Sequence, residues 1–362
     1  MRVAAILLLL VLGVSGCARH PMTSPLTPRI EAMVREKFPL ESDPGCSVLV
    51  IDRGKVVFEK SYGVANLEDN IPATPETNYR IASVSKQFTA MATLILVDKG
   101  GISLDDSIRK FLPELPDYAE LITVRHLLNH TSGIKDYEDL YDKNITTPLL
   151  DADVLKLLAA QSVGDFKPGE KYSYSNSGYA LLALIVERVS GKRYAQFLHD
   201  EIFLPTGMTN SVAFEKGISE VSDRAYGYER DGGEWKFADQ SMTSSVLGDG
   251  GIYTSLRDYA KWDHALRKKK LISPALLEEA YTAGKLNDGT PIKYGYGWKI
   301  DEKGGMKEVW HTGSTTGFNH SVHRIPERGL CVAVFSNCVG EAPAQLAVEI
   351  EDYVLNPKSL PH

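Results

Sequence analysis

Apolar positions change their period several times along the chain, and each change marks an element. RIEAMVREKF (29–38) has helical spacing. Asp43-Pro44-Gly45 is a turn signal, and Cys46–Asp52 and Lys55–Tyr62 are β-rich runs joined by Arg53-Gly54, which predicts a hairpin. From Ser83 to Lys99 the helical period returns and stops at Gly100-Gly101. The pattern then stays mainly helical to about residue 200, most clearly in Val154–Ala160 and Tyr179–Val189. Residues 205–250, rich in Gly, Ser and Asp, carry little periodicity. Strand signals come back at Gly295–Asp301, His320–Ile325 and Leu330–Asn337, and Ala342–Leu355 reads as an amphipathic helix. Strands at both ends with helices between predict an α+β fold. One antiparallel sheet, flanked by helices, is built from both termini, and an all-α domain is inserted in the middle. The α/β part is expected at about 29–80 and 250–355, the helical part at about 81–249, and a short tail at 356–362. A cleft between the two parts is the natural place for a site.

The first residues do not fit that plan. Arg2 precedes an apolar run, Val3–Val14, of about 12 residues, short of the roughly 20 that span a bilayer. The run ends Val14-Ser15-Gly16-Cys17, which resembles a bacterial lipoprotein signal. On that resemblance residues 1–16 are a signal peptide and Cys17 carries a lipid. Residues 17–28, with Pro21, Pro25 and Pro28, form an extended tether. The expected location is the cell envelope: exported, lipid-anchored, on a periplasmic or extracellular face. The other cysteines, Cys46, Cys331 and Cys338, read as buried free thiols, with a Cys46–Cys338 bridge left open. No pair or cluster of these cysteines has zinc-ligand spacing.

Composition narrows the class. With 362 residues, 43% of them hydrophobic and 24% charged, the chain is an ordinary globular protein of about two structural units. A net charge of −7 gives no basic field for nucleic acid. The basic run Arg267–Lys270 follows a helix-like stretch, and it suits the water-facing C-terminal end of that helix.

The candidate chemistry begins with Ser83-Val84-Ser85-Lys86, an S-x-x-K motif. Three residues apart on a helix, the lysine amine can approach the serine hydroxyl, which is a poor nucleophile until a base takes its proton. The motif occurs three times. Ser132/Lys135 encloses Gly133, a poor helix interior, and Ser107/Lys110 lies in a charged stretch that runs into Pro113. Only Ser83/Lys86 opens a long amphipathic helix. Tyr174-Ser175-Asn176 follows Pro168-Gly169. A phenol beside a lysine cation can take a serine proton and return it to a leaving group, and an amide such as Asn176 can both donate and accept. His311-Thr312-Gly313 precedes Ser314. His311 and Thr312 can bind a carboxylate or carbonyl oxygen, and Gly313 permits close approach of a ligand. Taken singly, Y-x-N reads as a capped loop and H-T-G as a turn beside a strand. His126 and His130, four apart, lack the glutamate of H-E-x-x-H and read as structural, and no G-x-S-x-G elbow is present.

In the order S-x-x-K, Y-x-N, H-T-G, the chain resembles the penicillin-recognising serine hydrolases: class C β-lactamases, D-Ala-D-Ala carboxypeptidases, and related esterases and D-aminopeptidases. HLLNHTSGI (126–134), YSNSGYALLALIVE (174–187), GDGGIYTS (248–255) and YGYGW (294–298) add to the likeness, which covers about residues 29–355. The resemblance implies a β-lactamase/transpeptidase-like fold. It makes Ser83 the acylated nucleophile, with Lys86 and Tyr174 as general base and acid. Asn176, His311, Thr312, Gly313 and Ser314 would bind substrate, with the N–H groups of Ser83 and Ser314 as oxyanion hole. No metal or organic cofactor is implied. The substrate would be a D-amino-acid peptide, a β-lactam or an ester. His311 departs from the lysine usual in the β-lactamases of this group, which turns the expectation toward the peptidases and esterases. The alternatives are a carboxylesterase of the same fold, a β-lactam-binding sensor without turnover, or an inactive envelope scaffold.

Overall fold

A computed structural model of the chain describes residues 26–340 and 342–357. The proposed signal, Cys17 and most of the tether and tail lie outside the described residues. Among the described residues no helix is long and apolar enough to cross a membrane.

The main sheet has six antiparallel strands in the spatial order Lys299–Lys303, Met306–Thr315, Phe318–Ile325, Leu330–Ser336, Cys46–Asp52, Lys55–Tyr62. Both ends of the chain therefore meet at the centre, where Cys46 opposes Ser336 and Ile51 opposes Cys331. The predicted hairpin turns on Arg53 (φ +50°) and Gly54 (φ +72°), both in the left-handed region that suits a two-residue hairpin. Alternation sorts the two faces. Val48, Val50, Val332 and Val334 point to one side, where the terminal helices Thr27–Lys37 and Ala342–Leu355 cover them with Ile30, Val34, Leu346 and Ile350. Leu49, Ile51, Ala333 and Phe335 point to the other side, into a larger core shared with the middle of the chain.

That larger core is built on three helices: Lys86–Asp98, Asn176–Ser190 and Leu256–Arg267. The first two are buried almost all round, as central helices are. Phe88 stacks on Trp262 with ring centroids 4.4 Å apart. The middle of the chain is not all-α as expected: Val212–Ala213 and Tyr79–Arg80 both pair with Ile252–Thr254, and Tyr228–Asp231 forms a hairpin with Glu234–Phe237, in the stretch whose Gly- and Ser-rich pattern hid its short strands. Cys46, Cys331 and Cys338 are buried and unbridged.

Two strands differ from the sequence expectation. The run expected at Gly295–Asp301 is a strand only from Lys299 to Lys303. The H-T-G triplet is not a turn; it lies inside the ten-residue strand Met306–Thr315.

Candidate active site

Ser83 lies in a 3-10 turn, Ala82–Ser85, that runs straight into the helix Lys86–Asp98. Ala82 has φ +49°, a left-handed conformation that costs a non-glycine residue on the order of 1 kcal/mol. The strained turn leaves Ser83 partly exposed while Ala82, Val84 and Ser85 are buried. Gly313 makes this possible. A Cβ there would stand 2.3 Å from the Ile81 carbonyl oxygen. The close approach that Gly313 allows is thus made by the protein's own chain beside Ser83.

Lys86 is fully buried, and its Nζ has three partners: Ser83 Oγ at 3.2 Å, Asn176 Oδ1 at 2.8 Å and the Asp249 carbonyl at 2.9 Å. Two of them are fixed acceptors, so they hold two N–H bonds. The remaining position on the nitrogen faces the serine, as a proton in the ammonium and as a lone pair in the amine. The partners are held in turn. Asn176 opens the helix Asn176–Ser190, and its backbone N–H donates to Asp136 Oδ2 at 2.6 Å, an anion at a helix N-terminus. Asp249 lies in the helical turn Leu247–Gly250, where the Leu247 and Gly248 amides both donate to the buried Asp151 carboxylate at 2.9 Å. Tyr137 donates to Asp249 Oδ2 at 2.8 Å. Burial raises the Asp249 carboxyl to about 6, against the opposing pull of Lys86, and raises that of Asp151 to about 7.

The Tyr174 ring centroid is 5.0 Å from Lys86 Nζ. His130 lies against that ring, centroids 4.3 Å apart. His130 is buried; its Nδ1 accepts from the Ser175 amide at 3.1 Å, and Nε2 has no hydrogen-bond partner among the described residues. Burial and the Lys86 charge push its pKa well down, so the ring is a neutral wall behind the phenol. His126 Nδ1 accepts from the Thr123 backbone N–H at 3.1 Å, in the cap of the short helix Val124–Leu128.

His311 has a setting its sequence neighbours do not suggest. It is 1% exposed. Nδ1 donates to the Thr312 carbonyl at 2.6 Å, and Nε2 then accepts from Tyr294 Oη at 2.9 Å. Burial, then the nearby Lys86 charge, pushes its pKa down to about 3. A neutral imidazole with both nitrogens engaged offers no charge to a substrate carboxylate.

Ser83, Asn176 and Ser314 share the wall of a small pocket of about 50 Å³ with Arg80, Thr315, Tyr137, Glu138, Thr243, Asp249 and the backbone at Ala82 and Gly250. Tyr174, His311 and Thr312 are not on that wall. Motif reading missed Arg80, Tyr137 and Asp249. Arg80 is 3% exposed, and its guanidinium donates to Ser244 Oγ at 2.7 Å, the Ser244 carbonyl at 3.0 Å and Thr315 Oγ1 at 3.1 Å. It forms no ion pair among the described residues, although its charge acts on the buried Asp249 carboxyl on the same wall. The signals were faint: Arg80 stands three residues before Ser83, and Asp249 lies in GDGGIYTS.

The strand Lys299–Lys303 opposes only residues 306–310 of its neighbour. Residues 311–315 therefore lack a partner from that strand where they run past the Ser83 turn.

Residues 35–354 match the Beta-lactamase family. The chain belongs to that family. It is 32% identical over 308 residues to penicillin-binding protein 4* of Bacillus subtilis, covering 80% of this chain and 67% of the relative. It is 31% identical over 314 residues to a D-aminopeptidase of Brucella anthropi, covering 86% of this chain but only 59% of the relative. An octameric penicillin-binding protein homologue from Pyrococcus abyssi superposes with a TM-score of 0.79 at 32% identity, over 92% of this chain and 78% of that one. A D-amino acid amidase from Ochrobactrum anthropi shares the fold, with a TM-score of 0.77 at 23% identity over 92% of this chain and all of that one. The α+β architecture read from the strand and helix order is the β-lactamase/transpeptidase-like fold.

Proposed function

We propose that the protein is a serine hydrolase that works through an acyl-enzyme on Ser83, with small peptides or amides of D-amino acids as substrates. The observation that carries the reading is the fully buried Lys86 amine, fixed by Asn176 and Asp249 so that its remaining valence meets Ser83 Oγ. In the amine form Lys86 accepts the serine proton as Oγ attacks the substrate carbonyl, and Tyr174 beside it passes a proton to the leaving nitrogen. The N–H groups of Ser83 and Ser314 receive the oxyanion, each worth roughly 10²–10³ in rate. Water then releases the acid by the same route in reverse. The open strand edge at 311–315 suits a substrate backbone laid along it as an added strand. The cation for a substrate carboxylate is Arg80 rather than His311. The choice of D-peptides rests on the relatives at 31–32% identity and on the departure from lysine at His311. In the cell, the Cys17 signal supports a lipid-anchored envelope location.

The test compares turnover of D-Ala-D-Ala peptides, D-amino-acid amides, nitrocefin and p-nitrophenyl esters, with mass spectrometry after a fluorescent penicillin. We expect an adduct on Ser83 and turnover of the D-peptides or amides, both lost in Ser83→Ala. An adduct without turnover would leave a sensor. Turnover of esters alone would make it a carboxylesterase. Full activity in Ser83→Ala would end the reading.

A further inference from the structure

The face of the main sheet turned away from Ser83 carries a second buried polar cluster. Glu308 comes from the strand Met306–Thr315, His323 from Phe318–Ile325 and Glu351 from the helix Ala342–Leu355. They are 6%, 5% and 0% exposed. One potential ligand atom from each lies within 4.8 Å of the others. His323 Nδ1 is 2.5 Å from Glu308 Oε1 and 3.8 Å from Glu351 Oε2. The other ring nitrogen, Nε2, is 3.0 Å from Ser321 Oγ, and Trp310 stacks on the imidazole with centroids 5.5 Å apart.

Glu351 makes this more than an ion pair. It is fully buried, yet neither carboxylate oxygen takes a hydrogen bond among the described residues. Its nearest cation, Lys303 Nζ, stands 3.5 Å away and is held closer, at 2.8 Å, by Asp352 on the protein surface. A buried carboxylate without donors is unfavourable by several kcal/mol unless it is neutralised. A proton is one remedy, and burial raises the Glu351 carboxyl to about 7. A metal ion is the other.

We propose that Glu308, His323 and Glu351 bind one zinc ion that clamps the C-terminal helix to the sheet. One imidazole nitrogen and two carboxylate oxygens are donors that zinc takes, and a water can complete a tetrahedron. Edges of such a tetrahedron are roughly 3.3 Å, so small side-chain rotations close the present spacing. Ser321 accepts the Nε2–H and so presents Nδ1 to the ion. Two carboxylates balance the dipositive charge, and binding releases to solvent any proton carried by Glu351. Calcium and magnesium, which take six or more oxygens, do not suit a site with three protein donors, one of them nitrogen.

The test is equilibrium dialysis of the tag-free, chelator-stripped full chain against micromolar zinc, read by elemental analysis, with thermal melts alongside. We expect one zinc per chain and a Tm rise of roughly 4 °C at a hundredfold excess over Kd. Glu351→Gln and His323→Gln should lose both effects and keep hydrolytic turnover within about twofold, so failure here leaves the Ser83 reading standing. X-ray absorption at the zinc edge should show nitrogen and oxygen but no sulfur. Absence of bound zinc, sulfur ligation, or equal retention by both variants would overturn the proposal.

Discussion

His311 and His323 sit on adjacent hydrogen-bonded strands, one register step apart from facing each other, and are both buried. The pleat sends them to opposite sides of the sheet. On the inner side His311 meets a phenol and lies within reach of the Lys86 charge. On the outer side His323 meets two carboxylates. One imidazole is thereby held neutral between Tyr294 and the Thr312 carbonyl, and the other is fixed among anions that suit a cation. The residue type is the same, and the charge of the neighbours decides what it can do. On the two proposals, one sheet separates proton transfer at Ser83 from a zinc site, and mutations on either side should leave the other's readout alone.

The sharpest way to break that separation is Lys86→Ala. We expect kcat/KM to fall by about 10²–10⁴, the loss of a general base, while circular dichroism and zinc stoichiometry stay as in the parent. Turnover near the parent level would remove Lys86 from the chemistry. A lost zinc ion would show that the two faces are coupled.

Much of the frame was legible in the sequence because it depends on local pattern. The β-rich apolar runs Cys46–Asp52 and Leu330–Ser336 and the long apolar helices need only their own residues to be recognised. The strand Met306–Thr315 was hidden for a physical reason. Glu308 points to the outer cluster and His311 to the inner one, so polar residues stand where a simple two-sided strand would have apolar ones. The site divides in the same way. Ser83 and Lys86 are neighbours on one helical turn and declare each other. Arg80 is close to Ser83 in sequence but carries no motif, and Tyr137, Asp249, Tyr294 and His130 reach the site through tertiary contacts. The H-T-G motif drew attention to His311, but no spacing rule could tell that burial would leave it neutral.

Arg80→Met tests where the pocket keeps its charge. A charge-assisted hydrogen bond contributes about 1.5–3 kcal/mol, so kcat/KM for a substrate ending in a carboxylate should fall roughly 10–100-fold. A neutral p-nitrophenyl ester should change by less than about threefold. Arg80→Lys should recover part of the loss and so controls for packing against Ser244. Equal losses on both substrates would assign Arg80 a structural role.

Asp249 is read in stability rather than turnover, and its sign is definite. Its carboxyl titrates at about 6 in the fold and near 3.9 in the unfolded chain, so the fold favours the protonated form. That contribution is fully present below about pH 4 and is lost as pH rises through 6. Between pH 4 and pH 8 the parent should therefore lose about 2–3 kcal/mol relative to Asp249→Asn in denaturant unfolding. Parallel pH profiles for the two proteins would mean that the carboxyl is not kept protonated by burial.

The smallest expected effect comes from His311→Gln, and it bears most directly on the contrast between the two faces. Glutamine can still accept from Tyr294, so kcat/KM should drop by no more than about tenfold. His311 titrates at about 3 and is neutral throughout the working range, so the acid limb of the pH–rate profile should move by less than about half a unit. An acid limb near 6 would instead follow Asp249, whose carboxyl burial raises to about 6 on the pocket wall it shares with Ser83. If replacing His311 shifted the limb by a unit or more, the imidazole would be carrying charge during turnover. Burial and the Lys86 charge would then have failed to keep it neutral, and the inner histidine would be a titrating partner of substrate rather than a spacer.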